Sequence, residues 1–189
     1  MIRPLHAWGD ESIRSHGLDG PAYLLGASIV DSADADAVRD RLRSLRGADG
    51  RKLHWYELDR RHRARVVDVV TTLAASHVVV IARPMDLPKQ ERARSACLER
   101  LVWELAGRAA SLLTLEARPT ALMARDRRAV DTLRIRGVLP PTMRVEHGHP
   151  SDEPLLWLPD QVLGMVGACV AGGSSLPEPL DVDVVEIKP

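Results

Sequence analysis

The stretch at 22–30, A-Y-L-L-G-A-S-I-V, is uncharged over the length of a strand. Residues 5–10 before it read as a short strand, and 13–21, with Gly17, Gly20 and Pro21, as a turn. A chain that begins this way opens with a β-hairpin, and a hairpin with so apolar a second strand needs other elements to cover it.

The rest of the chain supplies that cover. Val38, Leu42 and Leu45 recur at helical spacing within 35–46, and G-A-D-G at 47–50 ends that helix. A second helix is predicted over 56–75, with Val66, Val69, Val70 and Leu73 on its apolar face, and H-V-V-V-I-A at 77–82 reads as a buried strand. After a break at 84–88, a long helix is predicted over 89–115, a fourth strand at 120–124 (T-A-L-M-A), and a short helix carrying Val130 and Leu133. A fifth strand at 143–147 and a last apolar helix at 158–171 follow. The order β-β-α-α-β-α-β-α-β-α predicts an α/β fold, a mixed sheet that opens with a hairpin and is flanked by helices. One domain is expected over 1–173, and the acidic tail 174–189 is either an edge strand or loose.

With 189 residues, 45% of them apolar, the chain is long enough for one sizeable core. Its 26 basic and 26 acidic residues balance, which argues against a strongly basic nucleic-acid protein but leaves room for a local patch. Arg60, Arg61, Arg63 and Arg65 are such a patch, or else the solvated face of a helix. Cys97 and Cys169 are isolated, so a reducing cytoplasm is the expected setting. No apolar leader is visible, and the longest uncharged run, 161–177, falls short of a membrane span, so no membrane association is expected.

Few acids stand out. H-A-W-G-D-E-S at 6–12 places Asp10 and Glu11 where the first strand ends. Neighbours on a strand face opposite sides, so only one can serve a site on a given face, and Asp10 is the preferred ligand. A buried carboxylate there needs a cation, a donor network or solvent. Asp126 is either a carboxylate at the end of the predicted fourth strand or the N-cap of the helix after it. Asp160 is the lone charge between Glu153 and Glu178, where Pro159 and the helix dipole both suit the first turn of a helix. Glu57, early in the second helix, is an auxiliary candidate. Glu146-His147-Gly148-His149 offers zinc-type donors without a companion motif. There is no P-loop, no G-x-G-x-x-G and no G-x-S-x-G.

Three segments in order, the strand ending D-E-S, then A-L-M-A-R-D-R-R and L-W-L-P-D-Q-V-L-G, resemble the domain-of-unknown-function 3800 family, with Lys52-Leu53-His54 as its middle element. The resemblance spans roughly residues 6–172, and the chain departs from the family pattern at Ile13 and Pro159. It implies a ribonuclease-H-like fold and a metal-dependent nuclease. Asp10, Asp126 and Asp160 would then bind Mg²⁺ or Mn²⁺, with Glu11 or Glu57 auxiliary and Lys52 and His54 on phosphate. Two such ions activate water and stabilise the leaving oxygen of a DNA or RNA substrate. The alternative is a non-catalytic ribonuclease-H-like module that binds nucleic acid or protein. A third reading is a zinc hydrolase centred on His147 and His149.

Overall fold

Strand β1 (Leu5–Arg14) pairs antiparallel with β2 (Ala22–Asp31) along its whole length, Leu5 opposite Asp31 and Arg14 opposite Ala22. The computed structural model describes residues 4–15, 20–46, 53–172 and 175–189. The predicted helix stop at 47–50 and Lys52 lie outside the described residues. β1 runs past the predicted end at residue 10, so Asp10, Glu11 and Ser12 belong to the strand and not to a turn. The ladder with β2 satisfies their backbone groups, and their side chains therefore alternate between the two faces of the sheet.

β3 (Ala75–Ala82) pairs antiparallel with β2, β4 (Ala110–Glu116) parallel with β1, and β5 (Arg144–Gly148) parallel with β4. The acidic tail contributes β6 (Val182–Ile187), parallel to β3 at the sheet edge. The strand order is β5-β4-β1-β2-β3-β6. Helices α1 (Ala35–Arg43), α2 (Arg60–Val70) and α5 (Trp157–Gly172) cover one face, where Trp8, Leu24, Val79 and Ile81 meet Val66 and Leu163. Helices α3 (Gln90–Gly107) and α4 (Thr120–Ile135) cover the other, where Ala7, Leu25, Val80, Leu113 and Leu115 meet Leu98, Leu101 and Leu133. On β1, even-numbered residues thus face α5 and odd-numbered residues face α3.

Two predicted elements are corrected. The helix over 89–115 ends at Gly107, and Ala109, with φ of 57°, turns the chain into β4. Leu105, Leu113 and Leu115 are all buried, so an apolar run across this junction fits helix and strand periodicity alike. The predicted strand at 120–124 is the first turn of α4. Alanine, leucine, methionine and arginine are strong helix formers, and Pro119 is tolerated just ahead of them. The order of elements survives, with β4 displaced toward the N-terminus. α2 also starts late: Trp55–Glu57 is one 3₁₀ turn, and Asp59 caps the helix by accepting the His62 N–H at 2.8 Å.

Pro154–Gly172 is long and apolar enough to cross a membrane by length and composition, but 72% of that window is buried inside the fold. Its apolar character on all sides is that of a core helix.

Candidate active site

One row across the sheet positions the acids. Asp10 pairs with Gly26 on β2, and Glu116 with Gly148 on β5. Gly9 pairs with Leu115, so Asp10 and Glu116 occupy the next step of the β1–β4 register. Gly26 lies under α5, and Gly148 under the 3₁₀ turn Pro154–Leu156 that leads into it. A Cβ added to Gly26 would lie 3.0 Å from Leu163, and one on Gly148 would lie 3.4 Å from Leu156. α5 packs on β1 and β2, and Asp160 lies in its first turn, between Leu156 beside Gly148 and Leu163 beside Gly26. Asp10, Glu116 and Asp160 therefore come from three elements to one end of one face.

Asp10 and Asp160 are each 8% exposed. Asp10 Oδ1 accepts the N–H of Glu11 at 2.8 Å. Asp160 Oδ2 accepts the Trp55 N–H and the Gln161 Nε2, each at 2.9 Å, while its Oδ1 lies 3.4 Å from His54 Nδ1. Gln161 Nε2 also donates to Leu53 O at 3.0 Å, so residues 53–55 are clamped onto the head of α5. The Oε1 of that same amide is buried without a hydrogen-bond partner. Trp55 lies across α5 where Gly164 leaves space, since a Cβ there would sit 2.1 Å from the indole. His54 thus lies beside Asp160 at the head of α5. Glu57 is exposed in the turn after it.

Asp126 does not share this face. It projects from α4 on the other side of the sheet, 3% exposed, and its two oxygens accept from Arg94 Nε and Nη2, both at 2.8 Å. His147 Nε2 reaches the same carboxylate at 3.1 Å and Arg118 Nη1 at 3.5 Å. Glu11 points to this side too. It pairs with Arg94 Nη1 and, at 3.0 Å, with Arg118 Nε, and Arg94 also donates to the Tyr23 hydroxyl at 3.1 Å. Burial by itself would raise the Asp126 carboxyl. Hydrogen bonds from His147 and Arg94 and the charges of both arginines outweigh it and hold the group well below the usual carboxylate range. Burial raises the Tyr23 phenol above its ordinary value. The expected grouping of Asp126 with Asp10 and Asp160 is corrected for two physical reasons: it faces the opposite way, and guanidinium groups already neutralise it. Glu11 is set apart from Asp10 on the same grounds.

The residue sequence reasoning missed is Glu116. Its signal was the run L-L-T-L-E at 112–116, which alternates and ends in an acid, and which the over-long helix concealed. Among the described residues, no three His, Cys, Asp or Glu side chains are arranged to hold a metal ion. His147 is bound to Asp126 and His149 is exposed, so the zinc-type donors do not converge.

No family model matches this sequence, and no curated protein matches it. Among solved structures, the chain is similar to one titled as the PCNA:RNase HII complex from Archaeoglobus fulgidus. The TM-score is 0.54 at 13% identity, over 88% of this chain and 72% of that one. The fold is ribonuclease H-like. Lower similarity is found to Bst-RNase HIII in complex with Mn²⁺ (TM-score 0.48, 13% identity, 91% of this chain and 57% of that one). The ribonuclease H2 from Pyrococcus horikoshii OT3 is comparable, at TM-score 0.44 and 10% identity, over 92% of this chain and 82% of that one. In this ribonuclease H-like frame, the acid row lies where β4 ends beside Asp10, while β1 runs on to Arg14.

Proposed function

We propose that the protein is a divalent-metal-dependent nuclease of the domain-of-unknown-function 3800 type, acting on phosphodiester bonds at the Asp10–Asp160 face. One observation carries this reading: two nearly buried carboxylates, from the middle of the sheet and from α5, share one end of one face in a ribonuclease H-like fold. Two nearly buried carboxylates on one face concentrate negative charge in hard oxygen donors, the chemistry that a divalent cation takes.

The donor set fits Mg²⁺ or Mn²⁺. Magnesium takes hard oxygen ligands and binds through one or two protein carboxylates, completing its shell with water and phosphate. Asp10 and Asp160 supply the carboxylates, Glu116 stands on the neighbouring strand, and the orphaned Oε1 of Gln161 adds an oxygen beside Asp160. When bound, such an ion supplies Lewis-acid activation of water and charge neutralisation at phosphate. The chain's own residues do the positioning. Trp55 N–H and Gln161 fix Asp160 Oδ2, which leaves Oδ1 directed at His54. His54, at the solvent boundary, holds or passes a proton beside the scissile phosphate. Lys52 is proposed to contact phosphate from the adjoining segment. The partner on this reading is DNA or RNA, and the free thiols Cys97 and Cys169 suit a cytoplasmic setting.

Cleavage of labelled DNA and RNA in Mg²⁺, Mn²⁺ or EDTA tests the proposal. Metal-dependent cleavage is expected in wild type and should drop at least about 100-fold in Asp10→Asn and Asp160→Asn, both still folded. Wild-type protein that neither cleaves nor gains thermal stability from either metal would point instead to the non-catalytic binding module.

A further inference from the structure

We propose that Tyr56 is a stacking platform for an unpaired nucleobase, so that the strand entering the site is single-stranded beside the carboxylates. This rests on the nuclease reading for the chemistry performed but on separate observations for the platform.

Tyr56 is 54% exposed. Its ring is not loose. The Arg14 guanidinium sits 4.8 Å from the ring centroid, and Arg14 is itself fixed by donating to Leu163 O at 3.2 Å. Arg14 lies across α5 where Gly167 has no side chain; a Cβ there would fall 2.1 Å from its Nη2. One side of the ring therefore rests on a cation held by the core, and the exposed remainder is presented to solvent. Rigid, half-open aromatic rings of this kind bind bases through their π-faces without reading sequence.

The platform is tied to the acids. Tyr56 follows Trp55, whose N–H is bonded to Asp160, and lies two residues from His54, at most about 7 Å between Cα atoms. Beyond it, α2 begins with Arg60 and Arg61, both exposed and in no ion pair among the described residues. Arg63 is engaged differently, donating to Trp55 O at 3.2 Å and covering the Trp55 ring. Four arginines against two acids between 54 and 65 give the surface a net positive charge beside the ring. Aromatic platform plus backbone-tracking cations is the chemistry of single-strand binding. A base inside a duplex cannot reach such a ring without leaving its stack.

Binding in EDTA separates this proposal from catalysis. Fluorescein-labelled 12-nucleotide single strands of DNA and RNA and a blunt duplex would be titrated by anisotropy, and the same strands carrying 2-aminopurine by fluorescence quenching. Single strands are expected to bind at least about tenfold more tightly than duplex, with 2-aminopurine quenched. Tyr56→Ala, with an unchanged melting temperature, should lose about tenfold in affinity and the quenching, while Tyr56→Phe keeps both within twofold. The DNA and RNA arms show which sugar is preferred. Equal binding by Tyr56→Ala and wild type, a preference for duplex, or no binding of any strand would overturn the platform. If metal-dependent cleavage still requires Asp10 in those cases, the nuclease reading stands alone. If Tyr56-dependent binding is seen without cleavage, the platform stands and the nuclease reading falls.

Discussion

Arg94, 1% exposed, shows at the scale of a residue why position outweighs identity. A buried guanidinium is tolerable only when its donors are met, and the carboxylates of Asp126 and Glu11 and the Tyr23 hydroxyl meet them together. Removing Asp126 leaves that cation half-compensated, so Asp126→Ala should destabilise the fold by about 3–5 kcal/mol in urea titration. Because the folded Asp126 carboxyl titrates below its ordinary range, its contribution is complete above the unfolded value near 4 and is lost as pH falls further. His77 gives a second, higher window. Buried at 2% exposure with Nδ1 2.9 Å from Ser28 Oγ, it is held down to about 4 by burial. Its stabilisation is full above the unfolded value near 6.5 and is lost as pH falls through about 4, a change on the order of 3 kcal/mol. A melting-temperature profile should therefore decline between those limits, and His77→Gln should flatten that part of the curve.

At the scale of an element, α5 matters for what it lacks. Gly164 and Gly167 open lanes for Trp55 and Arg14, and these two side chains fasten the 53–57 segment above the acids. Helix propensity alone favours Gly→Ala by about 1 kcal/mol. At Gly164 the added methyl would meet the indole at 2.1 Å, and overpacking of this kind costs about 1–3 kcal/mol. Gly164→Ala should therefore lower the melting temperature and, if the proposed metal site is used, also weaken Mn²⁺ binding in calorimetry by displacing the Trp55 N–H from Asp160. Unchanged metal affinity in a folded variant would mean that the clamp does not position Asp160. The α3–β4 junction shows the complementary case. Its residues suit either periodicity, and only the open edge of β1 turns residues 110–116 into a strand.

For the whole molecule, the sheet carries charge differently on its two sides: carboxylates under α5, and a neutralised arginine network under α3 and α4. The far edge is closed by β6, held to β3 along its length and pinned by Arg83–Glu186 and Arg108–Asp183. Deleting 175–189 would leave β3, with Val78, Val79 and Val80 fully buried, as a bare edge. Its melting temperature should fall by about 5 °C or more, and light scattering should reveal self-association.

Much of this architecture was legible in local pattern. The uncharged run at 22–30, the β-branched run at 77–82 and the all-apolar final helix each carry their periodicity with them, and so the hairpin, the alternation and the flanking helices follow from sequence alone. Asp10 and Asp160 stood out because each is an acid in an apolar context. What the tertiary structure alone decided is which acids share a face. A strand's period of two sends adjacent Asp10 and Glu11 to opposite faces, and helix α4 carries Asp126 to the arginine side. The parallel register of β4 against β1 brings forward Glu116 instead. Sequence records the charge of each carboxylate, but its neutralisation by arginine or its availability to a metal depends on partners far away in the chain.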